Sequence, residues 1–351
     1  MIRVGVIGFG LAGRIFHTAV VNATPGLELA GIVQRKGDEA AKAYPDAKIF
    51  RSIEDLLEDN SITLIVVATP SDSHFAVAEQ CLLANRDVVI DKPFTLTSEE
   101  AATLIRLARE RKRLLSAYQN RRWDGDFHTV RKVLDSGELG RLVSYDANYD
   151  RYRIEPRRTV WRENGGPGGG LLYDLGPHLI DQALFLFGAP ESLFADVRVD
   201  RDNAIIDDAF DIHLRYRNTH PLTAVLRSTL TAAIPRARFV LHGTKGSFVK
   251  YGLDPQEDQL KAGQTFDTPG FGHEQQETWG ELRIDGQDSQ RIETLPGDYR
   301  GLYANVRDAL LGKAELAVKP EDAWRTARVI ELARQSSAEQ KVLKVDFSDQ
   351  P

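Results

Sequence analysis

Apolar positions in the first 120 residues fall into short runs, each followed by a stretch of helical character. The run at 2–7 (IRVGVI) predicts a buried strand, and 14–23, free of Gly and Pro, predicts a helix. The pattern then repeats, with strands expected at 27–33, 47–50, 63–69, 87–91 and 114–118 and helices at 38–44, 53–59, 73–84 and 97–111. Ser52 with Asp55, and Thr97 with Glu100, mark capped helix starts. The run at 63–69 is β-branched and continuous, as in a strand covered on both faces. Regular alternation of strand and helix predicts a doubly wound parallel sheet.

The alternation stops near Asn120. Beyond it the pattern predicts a helix at 123–137 stopped by Gly137, then a long alternating strand at 143–152. Further strands are expected at 193–201, 208–217, 222–231, 237–242 and 246–251. Closing helices are expected at 303–311 and 321–340, the second introduced by Pro320. A glycine-rich stretch at 165–170 leads into a buried helix running to Phe187, with Pro177 in its first turn or at a kink. The expected fold class is therefore α/β, with a dinucleotide-binding domain in 1–120. An α+β domain for substrate binding and oligomerisation follows in 121–351, built on a large open, mostly antiparallel sheet.

A length of 351 residues suits two domains, and 42% hydrophobic residues with charges of both signs suffice for a sizeable core. The net charge of −6 points to neither nucleic acid nor a membrane surface as partner. Cys81 is the sole cysteine, which excludes an intrachain disulfide and a thiolate metal cluster. No signal segment and no bilayer-length apolar run are visible, so a soluble cytoplasmic protein is expected. The histidines are scattered without ligand spacing, so no metal is expected, and no Ser or Cys sits in a nucleophile elbow.

The chemistry concentrates at the ends of the predicted strands. Gly8-Phe9-Gly10-Leu11-Ala12-Gly13 joins the first strand to the first helix. In that position Gly8 allows the tight turn, Gly10 lets the backbone approach a pyrophosphate, and Gly13 permits close helix–strand packing, as in a Rossmann fold. The helix N-terminus adds unpaired N–H groups and a positive dipole end. Where NAD-binding folds place an acid after the second strand, this chain has Gln34-Arg35-Lys36. Two cations and no carboxylate favour NADP(H), with NAD(H) possible; Asp38, shortly after, argues the other way. Ala68-Thr69-Pro70 and Asp91-Lys92-Pro93 lie at the carboxyl edge of the sheet. There the Lys92 ammonium would point into the crevice, suited to polarise a carbonyl or stabilise an alkoxide. Asp174 and His178, four apart, share one side of a helix and form an acid–base pair, the helix N-terminus favouring a neutral His178. Arg151, Arg153, Arg157, Arg158 and Arg162 cluster around Tyr152 and Trp161. Salt bridges at a domain or subunit surface are the favoured reading of this cluster; the alternative is a loop covering a polyhydroxylated or anionic substrate.

These stretches carry a family resemblance. Residues 8–17 (GFGLAGRIFH), Ala68-Thr69-Pro70 with His74, Asp91-Lys92-Pro93, and Gly168-Gly169-Gly170 leading to Asp174 and His178 resemble the Gfo/Idh/MocA family of sugar and polyol oxidoreductases. The likeness extends over nearly the whole chain and is greatest to the NADP-dependent scyllo-inositol dehydrogenase branch. Where the family carries Glu before Lys-Pro, this chain carries Asp91. The resemblance implies that Lys92 hydrogen-bonds the reacting oxygen, His178 accepts the hydroxyl proton, and Asp174 binds a neighbouring hydroxyl. It implies that Ala68, Thr69, Pro70, His74, Asp91 and Asn120 contact the cofactor. Arg121 is expected near the cofactor–substrate junction, and Tyr149 and Trp161, in the loop region that shapes the pocket, against the substrate. The implied activity is hydride transfer between NADP(H) and a secondary alcohol of a cyclitol or sugar, in a homodimer or homotetramer. A glycosidase using held NAD for transient oxidation is an alternative on the same fold. A cofactor-sensing regulator is another, but it would be expected to lose Lys92 and His178.

Overall fold

The computed structural model describes residues 1–157, 159–217 and 220–351, and among these residues two sheets carry the fold. The first contains β1 (Ile2–Ile7), β2 (Leu27–Val33), β3 (Lys48–Phe50), β4 (Leu64–Val67), β5 (Asp87–Ile90) and β6 (Leu115–Ala117). They pair in the order β3-β2-β1-β4-β5-β6, all parallel. The strand order reverses between β1 and β4, and ligands of such sheets sit outside the carboxyl ends at that reversal. The connecting helices are α1 (Ala19–Ala23), α2 (Glu39–Ala43), α3 (Ile53–Glu58), α4 (His74–Leu83) and α5 (Ser98–Arg111). Both expected caps form: Ser52 Oγ accepts from Asp55 N at 3.0 Å, and Thr97 and Glu100 make a reciprocal box. The helix expected at 14–23 opens instead as a π-helical turn, Gly13–Thr18, before α1. Wide turns of this kind concentrate at functional sites, and this one follows the glycine loop.

After α6 (Gly125–Ser136), which Gly137 ends in a left-handed conformation as expected, comes the second sheet. Its strands are β7 (Leu142–Asn148), β8 (Ser192–Arg198), β9 (Ala209–Tyr216), β10 (Leu222–Thr229), β11 (Phe239–Gly243), β12 (Gly246–Lys250), β13 (Gly280–Ile284), β14 (Gln290–Ile292) and β15 (Leu343–Lys344). The order is β14-β13-β12-β11-β7-β10-β9-β8-β15, antiparallel except between β10 and β7. Alternate residues such as Leu193, Ala195, Phe210, Ile212, Leu226 and Leu241 turn inward. They pack with α7 (Leu171–Phe187) and, after α8 (Gln256–Lys261) and α9 (Arg300–Leu310), with α10 (Pro320–Glu339).

α7 starts at Leu171, so Pro177 lies well beyond its first turn and the Tyr173 carbonyl lacks a helical donor. Its N-terminus is capped from outside the helix: Asp207 accepts Leu171 N on its carbonyl at 2.8 Å and Leu172 N on its carboxylate at 2.7 Å. Gly170, at φ +91°, makes room for this contact, since a Cβ there would lie 2.3 Å from Asp207 Oδ1.

All first-sheet strands precede residue 120 and all second-sheet strands follow it, but the C-terminal helices return to the first half. Tyr299, Tyr303 and Val306 pack with Val4, Val6 and Val66, while Val318, Ala323 and Trp324 cover residues on the opposite face of that sheet. Buried Arg122 joins three elements, donating to Asp181 of α7 at 2.6 and 2.7 Å and to Asp322 of α10 at 3.1 Å. Among the described residues no helix is long and apolar enough to cross a membrane.

Candidate active site

Two cavities meet at Lys92. The larger, about 1260 Å³, runs along the carboxyl ends of β1, β2 and β4; the smaller, about 240 Å³, lies between that edge and α7. Leu11, Ala12, Asp91, Lys92, Arg157 and Arg162 line both.

The glycine loop borders the larger cavity through Gly8 to Ala12. A Cβ on Gly8 would lie 2.5 Å from the Ala68 carbonyl, and one on Gly13 would lie 2.0 Å from the Gly8 carbonyl. At Gly10 a Cβ would meet nothing within 4 Å. Gly8 and Gly13 are thus required by the protein's own backbone, and Gly10 leaves space beside the cleft. Ala68, Thr69 and Pro70 form the opposite wall, and Gln34, Arg35 and Lys36 the far end. Asp38 is exposed and pairs with Lys42 at 3.0 Å, so no carboxylate from it faces that end. Gln34 Oε1 accepts from Ala40 N at 2.9 Å, and its amide nitrogen donates to Glu39.

β5 delivers Asp91 and Lys92 to the junction, and the Lys92–Pro93 peptide is cis. Lys92 Nζ donates to the Asp174 carbonyl at 2.6 Å and to Asp174 Oδ1 at 2.9 Å. Arg162 Nε and an Arg151 amino group lie 3.3 and 3.8 Å from the same carboxylate. Burial opposes ionisation of Asp174, but Lys92, Arg162 and Arg151 hold it well below the usual carboxylate range. One turn on, His178 lines the small cavity, and its Nδ1 is buried with no hydrogen-bond partner among the described residues. Burial and then the cations Lys92 and Arg121 push His178 well below the ordinary imidazole value, outweighing Asp174. It is therefore neutral at neutral pH. The cause is not the helix terminus, since His178 is the eighth residue of α7.

Other expected site residues fall differently. His74 is buried behind the cleft, with Nδ1 2.8 Å from the Pro93 carbonyl and Nε2 2.9 Å from the Thr69 carbonyl. It spans the loops after β4 and β5 rather than lining a cavity. Tyr149 is 2% exposed and lies beneath the guanidinium groups of Arg121, Arg151 and Arg238, lining neither cavity. Guanidinium groups cover its ring, so it stands behind the cavity wall instead of against a substrate. Trp161 borders the larger cavity and Asn120 the smaller, the reverse of the expected assignment. Arg121 does line the smaller cavity, clamped by Asp124 at 3.2 Å and Glu257 at 2.5 Å.

Arg151, Arg153, Arg157 and Arg162 face the small cavity, which corrects the expectation of a domain or subunit surface. Salt bridges within the cluster exist, but the guanidinium groups still reach the cavity wall. Arg158 lies outside the described residues. Among the residues given no site role from sequence are Arg51, His17 and Glu257. Arg51, after β3, lines the larger cavity and donates to the carbonyls of Gln34 at 2.9 Å and Gly37 at 2.7 Å. The sheet order places the end of β3 beside that of β2, and a doubly wound reading carried to strand order could have revealed it. His17 Nε2 lies 3.5 Å from Asp91, with His17 Nδ1 2.7 Å from the Tyr303 hydroxyl. Burial works against the Asp91 charge, but His17 and Lys92 outweigh it and bring the carboxyl to about 2. Glu257, in the unpredicted α8, comes from too far along the chain for local pattern to place it.

Comparison with known proteins agrees with this architecture. Residues 2–119 match the family model described as an oxidoreductase family with an NAD-binding Rossmann fold, and 131–346 match that family's C-terminal alpha/beta domain. The chain is 40% identical to the uncharacterized oxidoreductase YdgJ of Escherichia coli, over 97% of this chain and 98% of that one. It is 36% identical to the scyllo-inositol 2-dehydrogenase (NADP(+)) IolW of Bacillus subtilis, over 98% and 96% respectively. The solved structure of yvaA from Bacillus subtilis superposes with a TM-score of 0.93 at 37% identity, covering 98% of each chain.

Proposed function

The chain belongs to the Gfo/Idh/MocA family of oxidoreductases, and from that premise we propose that it transfers hydride between NADP(H) and a secondary alcohol or ketone of a cyclitol or sugar. The observation that carries the proposal is the meeting of Lys92 with Asp174 and His178 where the two cavities join. The scyllo-inositol dehydrogenase among its relatives supports both the substrate class and the cofactor. The glycine loop fits a dinucleotide, because Gly10 leaves space for a pyrophosphate where any side chain would project. Arg35, Lys36 and Arg51 fit a 2′-phosphate at the far end.

When bound, the cofactor supplies the hydride acceptor or donor. The protein's residues supply the rest. In the oxidative direction His178, being neutral, accepts the hydroxyl proton on a ring nitrogen. Lys92 donates to the substrate oxygen and stabilises the alkoxide charge more than the neutral alcohol. Asp174 holds the ammonium in place and accepts from a neighbouring hydroxyl. His74 fixes the two loops that set the position of Lys92.

The test follows nicotinamide absorbance with purified protein, NADP⁺ or NAD⁺, and a panel of inositols and aldoses. Reduction of NADP⁺ by a panel member is expected. Absence of any reduction, and of NADPH oxidation by the corresponding ketones, would overturn the proposal.

A further inference from the structure

The small cavity carries more positive charge than hydride transfer on a neutral polyol requires. Beyond β7 the chain stays extended, with Arg151 N bonded to the Thr229 carbonyl at 2.9 Å and Arg153 N to the Leu230 carbonyl at 2.8 Å. Alternation along this segment puts Arg151 and Arg153 on the cavity side and leaves Tyr152 62% exposed on the other. Further cations line the same space: Lys92, Arg121, Arg157, Arg162 and Lys261. Against these seven stand three lining carboxylates, Asp91, Asp174 and Glu257.

Asp91 faces His17 at 3.5 Å, and the other two carboxylates are each shared among several cations. Asp174 serves Lys92, Arg151 and Arg162, and Glu257 serves Arg121 and Lys261. Behind the wall, Glu163 faces Arg153, Arg157 and Arg201, and Asp208 also pairs with Arg201 at 2.8 Å. Arg153 Nε is buried with no hydrogen-bond partner among the described residues. Burial, with crowding by Arg157, Arg201 and Arg151, outweighs Glu163 and lowers the proton affinity of Arg153. The surplus of cations over carboxylates lining the cavity, with a buried Arg153 donor left unpaired, is what an anionic ligand would complete.

We infer that the small cavity takes a polyol bearing an oxyanion, a carboxylate or a phosphate, bound by Arg151 and Arg153. The inference rests on the dehydrogenase reading for the presence of substrate in this cavity. A guanidinium offers parallel N–H donors that match either oxyanion, whereas hydroxyls bring no charge to the field. Arg157 and Arg162 border both cavities, whereas Arg151 and Arg153 border the small one alone.

The test pairs neutral compounds with their anions: myo-inositol with myo-inositol 1-phosphate, and glucose with glucuronate. Binding to the NADPH-loaded protein is measured by calorimetry, and kcat/KM with NADP⁺ for the same four. At least one anion should bind about tenfold or more tightly than its neutral partner, one charge-assisted contact being worth roughly that. Arg151→Gln and Arg153→Gln should each remove most of the advantage, with thermal midpoint and NADPH affinity reporting on folding. An advantage confined to glucuronate assigns a carboxylate, and one confined to the phosphate assigns a phosphate. Neutral compounds that bind as well as both anions overturn the inference while their turnover leaves the dehydrogenase reading intact. Tight anion binding without turnover of any compound keeps the anion site and removes that reading. An anion advantage surviving both substitutions overturns the assignment to these arginines.

Discussion

An ammonium held through two acceptors of one residue can turn toward a ligand while keeping one of them. Lys92 Nζ is in that position, donating to the carbonyl and carboxylate of Asp174. Lys92→Met is expected to cut kcat by about 10²–10³, the cost of one preorganised charge-stabilising donor. His178→Ala is expected to cost about 10²–10⁴, as loss of a general base does. The two residues are also coupled through charge. His178 must be neutral to accept a proton, and its lowered pKa keeps it neutral below the ordinary imidazole range. Activity should therefore hold as pH falls through 6.5, the imidazole reference, and decline only below it. Removing the Lys92 cation removes one cause of that depression, so the acid limb of the residual kcat/KM should move to higher pH. A pH profile of Lys92→Met with an unmoved limb would show that His178 is not the titrating base. At the far end of the large cavity, Arg35→Ala should weaken NADPH by about tenfold and NADH much less, as read by fluorescence titration. Equal losses would remove the charge argument for NADP.

Elements deliver these residues, and their legibility varied with how local the determining contact is. The six parallel strands were legible because buried strands and intervening helices leave contrasting periods in the sequence. The caps at Ser52 and Thr97 were legible because donor and acceptor lie three residues apart. The start of α7 was not, because its cap is Asp207, thirty-odd residues downstream, and the glycines before it read as loop. The strands β13 and β14 and the helix α8 were missed because 252–295 is rich in Gly and polar residues, and short edge strands leave little alternation. The glycine loop was legible as a strand–turn–helix junction, and the space around its glycines permits a sharp contrast. Gly10→Ala adds a methyl where no protein atom lies within 4 Å, so thermal stability should change little while NADPH affinity falls. Gly13→Ala drives a methyl against the Gly8 carbonyl and should destabilise by about 1–3 kcal/mol or more. Thermal melts and NADPH titrations of the two variants separate these roles; loss of stability in Gly10→Ala with cofactor affinity intact would reverse them.

At the scale of the whole molecule, the candidate site is assembled only if the two halves keep their relation, since Lys92 follows β5 of the first sheet and Asp174 and His178 come from α7. Arg122 is one of the contacts that fix it, a buried guanidinium paired with Asp181 and Asp322. No sequence pattern near Arg122 distinguishes it from a surface arginine; its partners lie 59 and 200 residues away. Replacing buried pairs by apolar groups is often neutral, but removing one member leaves a charge without compensation and costs about 3–5 kcal/mol. Burial already raises the Asp181 pKa against the pull of Arg122. In Arg122→Met that pull is gone and the pKa rises further. The folded state then binds a proton that the unfolded state releases, so the variant's penalty is fully developed above the raised pKa and shrinks as pH falls through it. Urea midpoints of wild type and Arg122→Met should therefore differ widely at pH about 8 and less at pH about 5, where protonation near the carboxylate range begins to neutralise Asp181. Arg122→Met with Asp181→Asn should recover part of the loss at the higher pH, because the uncompensated charge is then absent. A penalty independent of pH, and unrelieved in the double variant, would mean that Arg122 holds the two halves together by packing of its stem and not by its charge.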